Sequence, residues 1–369
     1  MGVLLSSFPT RFTGIAALIA TMAAAPVSPP DTTVTGPDAH SVWKPGAIDF
    51  RGGATDDTGV GEVWVAIQDR VSRLWWRADG TWGAYARHAA NLSADRTAWD
   101  WRWQATAAGD FGIQVTAKDT GGTADPTPAW RPFSVDAVAP DATIDVPPIQ
   151  DEVYGRRPLT FSGTATDDRG VGEVAVAVKD IDSGQWYRPD GTFGDYVQHA
   201  AALARPGTTA TTWSFGWTPP RGGRFSLQVV AKDRTGQPDQ DLPFRRFDVD
   251  TAHPDTVIGS PAGLDTVLER CKTLRFTGTA SDDHGVSGLW VAIQDFHTRA
   301  WLRPDGTWGD YQRYVVAVDR PGSPTTTWSY RFTPPAKKGK FVVQFGAVDR
   351  VGLVDQSKPF HRVEVQRPW

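Results

Sequence analysis

The sequence predicts an all-β chain of three consecutive antiparallel β-sandwiches, and three observations carry that prediction. First, the block GTATDDRGVGEVAVAVKDIDSGQWYRPDGTFG at Gly163–Gly194 has counterparts at Gly52–Gly83 and Gly278–Gly309. Asp31, Asp141 and Asp255 open equivalent segments 110 and 114 residues apart, and a fixed period of this kind marks a module copied in tandem. Second, apolar side chains alternate with polar or small ones throughout each copy, as strands with one buried face require. Third, no apolar stripe of helical period interrupts them. Units of this size bury a core of their own, and about seven short strands in each fit two face-to-face sheets.

The elements follow in order. Ile48, Phe50, Gly52 and Ala54 give the first strong alternation, repeated at Leu159, Phe161, Gly163, Ala165 and at Leu274, Phe276, Gly278, Ala280. After an Asp-Asp-x-Gly turn, the next strand sets Val63, Val65 and Ile67 on one face and Trp64, Ala66 and Gln68 on the other. Gln68 marks the second row as the outward one. Asp79-Gly80, Asp190-Gly191 and Asp305-Gly306 read as two-residue hairpin turns, which need positive φ. Such a turn places Arg77 opposite Trp82, with Trp75 on the same face. Trp99, Trp101 and Trp103 recur as Trp213, Phe215, Trp217 and as Trp328, Tyr330, Phe332, an aromatic at every second position and therefore on the core face. Phe111–Ala117 and the short closing strand Phe133–Val135, with their counterparts, complete each copy. The expected domains are 41–137, 141–250 and 255–366.

Before them, Arg11 precedes an apolar run from Gly14 to Ala25. That layout predicts a secretory signal over 1–25, followed by an extended lead-in over 26–40, and hence an extracellular or cell-surface location. Nothing later is apolar for long enough to span a membrane. Formal net charge is −4 with a pI near 6.0 and no basic stripe, which offers no footprint for nucleic acid or an acidic membrane surface. The single cysteine, Cys271, excludes a disulfide framework and is read as an idle thiol.

The blocks GTATDDRGVGEVAVAV, WYRPDGTFG, TTWSFGWTPP and GGRFSLQVVAKDRTGQPD resemble the tandem bacterial immunoglobulin-like domains of secreted and surface proteins, over about residues 31–366. The resemblance implies an adhesive, scaffolding or stalk role and brings no catalytic residues with it. Phe111, Phe225 and Phe341 stand where many such sandwiches carry Tyr, so no tyrosine-corner hydrogen bond is expected.

Two constellations are candidates for a site. The first is acidic. Asp56-Asp57, Asp167-Asp168 and Asp282-Asp283 follow an early strand; Asp119 and Asp125, Asp233 and Asp239, Asp349 and Asp355 follow a late one, spaced D-x-x-G-x-x-D; Asp136, Asp141, Asp250 and Asp255 lie in the linkers. In an immunoglobulin-like sandwich these loops share one end, so carboxylates converge on each junction. Calcium takes six to eight oxygen ligands, and Ca2+ bracing the joints is the cofactor this pattern points to. The competing reading is that each Asp caps its own turn. The second constellation is aromatic: Trp64, Trp75, Arg77, Trp82, Trp186, Arg188, Trp290, Trp301, Arg303 and Trp308. It reads either as a platform for sugar rings or as a packed hairpin holding register.

No G-x-S-x-G, H-E-x-x-H or P-loop occurs, and adjacent aspartates on one turn do not flank a bond to be cut. The expectation is a non-enzymatic extracellular structural, adhesion or spacer module facing a protein or polysaccharide partner. Carbohydrate binding is the alternative.

Overall fold

The computed structural model describes residues 28–269, 272–334 and 338–366; the signal segment over 1–25 and Cys271 lie outside them. Every regular element among the described residues is a strand, so none is a helix long and apolar enough to cross a membrane. The strands form three pairs of sheets, one pair per sequence copy.

In the first copy the smaller sheet runs Asp31–Thr32, Gly46–Thr55, Ala98–Ala105, Asn91–Leu92. The larger runs Ser41–Trp43, Ala129–Val135, Gly109–Asp119, Val60–Asp69, Trp75–Trp76, Trp82–Gly83, with His88–Ala89 also paired to Val60–Asp69. Asp31–Thr32 falls in the stretch read as a lead-in, yet it pairs with Gly46–Thr55, and Val34 joins the core. The second copy repeats this order from Asp141–Ala142 to Phe244–Asp250, and the third from Asp255–Ser260 to Phe360–Gln366, except that its smaller sheet has three strands and the fourth is reduced to the single bridge Val318–Trp328. The first sandwich is one compact unit ending at Ala137; the second and third together form another from Val138.

One edge of each larger sheet is parallel. Ser41–Trp43 runs parallel to Ala129–Val135, and Glu152–Gly155 and Asp265–Glu269 do the same in their copies. The opening segment pairs first with the smaller sheet and then passes to the larger one without a hairpin. It keeps its direction, and the free edge it meets runs the same way.

The cores follow the alternation. Trp103, Phe111 and Phe133 meet with centroids 5.1–5.9 Å apart, within the range where tilted aromatic pairs are favourable. Trp217, Phe225 and Phe247 repeat the cluster, and each core draws only on its own copy. Trp101, Phe215 and Tyr330 are half-buried at the margin. The indole Nε1 of Trp99 donates to the Thr33 carbonyl, and that of Trp213 to the Thr143 carbonyl.

The third copy carries a buried histidine where the others carry arginine. Arg131 and Arg245 reach the carbonyls of Val34 and Ile144. His361 is fully buried instead, with Nδ1 donating to the Gly263 carbonyl at 3.1 Å and Nε2 accepting the Thr266 hydroxyl at 2.8 Å. That pattern uses the neutral imidazole, and burial holds its pKa below the ordinary value. The unfolded chain, whose histidine titrates near the ordinary 6.5, therefore binds more protons than the native one just below that pH. Stability is whole above the unfolded pKa and falls as pH drops through it. Wild type is expected to lose melting temperature between pH 7.5 and 5.5 more steeply than His361→Gln, by thermal melts in matched buffers. Equal slopes would refute it.

Candidate metal centre

The second and third sandwiches bring three buried carboxylates together. Asp250 ends the closing strand Phe244–Asp250, Asp282 follows the strand Leu274–Ser281, and Asp349 ends the strand Gly339–Asp349. Their exposures are 1%, 8% and 1%. One oxygen from each lies within 4.8 Å of the other two.

Local turn chemistry orients all three. Asp282 Oδ1 accepts the backbone N–H of His284 and Gly285, Asp349 Oδ1 those of Val351 and Leu353, and Asp250 Oδ1 that of Ala252. Gly352, at φ 92°, supplies the left-handed step that closes the Asp349 turn. With one oxygen tied to backbone, the other is left buried: Oδ2 of Asp250, of Asp282 and of Asp349 each lack a hydrogen-bond partner. Burial lifts the pKa of Asp250 and Asp282 above the usual carboxylate range, and the neighbouring acids add to it.

At the rim, His284 Nδ1 lies 3.0 Å from Asp283 and 3.6 Å from Asp250, and Nε2 lies 3.4 Å from Asp248. Burial opposes charge on this imidazole, yet the three carboxylates outweigh it and its pKa is raised. His284 and Asp248 were not singled out from the sequence. The available signal was that the variable position of the Asp-Asp-x-Gly turn holds Thr58, Arg169 and His284 in the three copies.

The remaining acids separate by role. In the second copy Asp167 and Asp233 also bring a carboxylate oxygen each within 4.8 Å of the other, and Asp167 Oδ1 and Asp233 Oδ2 are buried without a hydrogen-bond partner. In the first, Asp56 and Asp119 belong to no acidic triad among the described residues, and Asp57 accepts the Ser28 N–H. Asp125 and Asp239 act as clamps inside their own sandwich: Asp125 Oδ2 accepts the Thr32 hydroxyl and Asp239 Oδ2 the Ala142 N–H, each pinning the opening strand. Asp355 binds the Ser357 N–H and hydroxyl, and Asp255 accepts from Ser357 as well. Asp141 and Asp168 are exposed, and Asp136 is buried.

No protein-family model and no curated protein matches the sequence. Among solved structures, the chain is similar to dimeric latent PorU from Porphyromonas gingivalis, at 11% identity and TM-score 0.23, with 91% of this chain aligned to 34% of that one. It thus spans about a third of the PorU chain. It is also similar to the C-terminal domain of the Streptococcus pyogenes antigen I/II-family protein AspA (9%, TM-score 0.29, 62% of this chain and 99% of that). A third is the N-terminal Ig1-2 module of the Drosophila receptor protein tyrosine phosphatase DLAR (11%, TM-score 0.17, 62% and 100%). The sandwich assignment rests on the sheet order and registers above.

The aromatic hairpin differs from its expected register. Arg77 N–H bonds the Thr81 carbonyl, leaving three residues in the loop with Gly80 at φ 83°, so Trp76 pairs with Trp82 and Trp75 with Gly83. A one-residue shift reverses the face of every following side chain. Trp82 consequently turns inward and stacks on Phe111 at 5.4 Å and 15°, as Trp308 does on Phe341 at 5.8 Å and 19°. Trp75, Trp186 and Trp301 lie on the other face, edge-on to Tyr85, Tyr196 and Tyr311 at 82–90°. Arg77, Arg188 and Arg303 lie over Gly83, Gly194 and Gly309 rather than on the expected rings of Trp82, Phe193 and Trp308. Trp290, expected to face outward, is 4% exposed: Gly346 leaves room for its ring and Arg313 covers it at 4.2 Å. Trp64 is half-buried under Arg87.

Proposed function

We propose that this chain is a non-enzymatic extracellular or cell-surface module, acting as a spacer or adhesion arm that carries tension along the chain. The observation that carries this reading is the joint between the second and third sandwiches. Residues 251–254 alone separate their strands, and the joint is packed. Val351 lies 3.5 Å from where a Cβ on Gly155 would stand. His253, in the linker, donates to the Val354 carbonyl and accepts from Gln356 Nε2. A linker this short, fastened by polar contacts to the third sandwich, resists bending in a way a flexible tether does not. The export layout of the first 25 residues supports a location outside the cytoplasm. A sugar platform needed Trp75 and Trp82 exposed and coplanar, and the inward turn of Trp82 removes that support.

Pulling single molecules by their ends is expected to give three unfolding steps. Each should release about 35 nm, from ~100 residues at ~3.6 Å apiece. Extension without resisted steps would overturn the tension-carrying role. Protease shaving of intact cells checks the location.

A further inference from the structure

We propose that Asp250, Asp282 and Asp349 form a calcium site that locks the second sandwich to the third. Three carboxylates meet here, one oxygen of each within 4.8 Å of the other two, and each carries a buried Oδ2 with no hydrogen-bond partner. Burying a polar group without a partner is costly, and burying a charge more so, which is why such oxygens are found paired or on a metal. Among the described residues, the cation paired with this cluster within 4 Å is His284, and it lies against Asp250 at 3.6 Å while bonding Asp283 at 3.0 Å. Among the described residues, no ion pair reaches Asp282 or Asp349, and an oxygen of each lies within 4.8 Å of the other.

The donor set identifies the ion. It is carboxylate oxygen throughout, on turns already fixed by backbone N–H groups, and hard divalent cations take such oxygens. Calcium tolerates an irregular oxygen shell, whereas magnesium demands near-ideal octahedral geometry and keeps its waters. Zinc sites favour nitrogen and sulfur, and both ring nitrogens of His284 are turned to carboxylates. One ligand, Asp250, belongs to the second sandwich and two belong to the third, so an ion held by all three ties one to the other. The use of the ion rests on the spacer reading; its binding does not.

Calcium chloride titrated calorimetrically into chelator-stripped full-length chain is expected to show saturable binding in the range of extracellular modules, Kd about 0.1–1 mM. Asp349→Asn, which keeps the oxygen bonded to Val351 and Leu353, should weaken it at least tenfold, and Asp282→Asn likewise. In chelator, Asp349→Asn should melt no lower than wild type, because a repulsion is gone; in calcium, wild type should gain melting temperature and the variant should not. No saturable heat up to about 10 mM, or heat unchanged in both variants, overturns the site. A chain that binds calcium but shows no resisted unfolding steps refutes the spacer alone, and resisted steps without calcium binding refute the site alone.

Discussion

Trp213→Ala is expected to cost the second sandwich about 3–5 kcal/mol, the range for emptying a buried aromatic. Trp213 is 1% exposed, sits inside the second core, and donates from Nε1 to the Thr143 carbonyl at 3.0 Å. Truncation removes the ring's contacts and leaves that carbonyl without its indole donor. A domain holds together by only about 5–15 kcal/mol, so the loss takes much of the margin. Because each core draws on its own copy, the first sandwich should melt as before while the second loosens. Chemical denaturation followed by hydrogen exchange in each copy would show it. A loss below 1 kcal/mol, or one shared evenly by all three copies, would contradict the separation of cores.

Gly163→Ala should rank next, at about 1–3 kcal/mol or more, as overpacking does. A Cβ at Gly163 would stand 2.0 Å from the Thr143 carbonyl oxygen and 2.8 Å from Trp213 Nε1. Backbone cannot yield as a side-chain tip does, so the opening strand must move off Leu159–Thr166. Gly216→Ala is the matched control, since Gly216 lies in the same sheet and its Cβ would meet nothing within 4 Å. It should be neutral or mildly stabilising through the lost freedom of the unfolded chain. Equal destabilisation by both would mean that general strand propensity, not the close approach, is what the glycine serves.

Much of this architecture is legible in the residues, because alternation at period two and a recurring block both survive without three-dimensional knowledge. The rows through Phe50, Trp103 and Trp217 identify the buried face directly. The hairpin was less legible: Asp79-Gly80 fits both a two-residue and a three-residue turn, and only the observed Arg77–Thr81 bond decides which face Trp82 takes. Trp290 was misread because a glycine on the neighbouring strand, Gly346, admits its ring, a pairing that depends on register. The aspartates were legible as a group but not by role. Asp239 and Asp349 share a motif, yet one secures an opening strand while the other turns an oxygen toward Asp250 and Asp282. That division depends on which backbone N–H groups each carboxylate meets.

Three sandwiches built from near-interchangeable strands face a hazard while the chain is being made. Gly163 to Thr166 and Gly278 to Ser281 differ little, so an emerging segment has two almost equivalent docking sites, and neighbouring repeats of this kind are prone to exchange strands. Trp217 opposite Leu159, against Phe332 opposite Leu274, gives the second and third copies fillings of different volume. A strand inserted in the wrong one of these two would leave a void or a clash, a cost that favours its own copy.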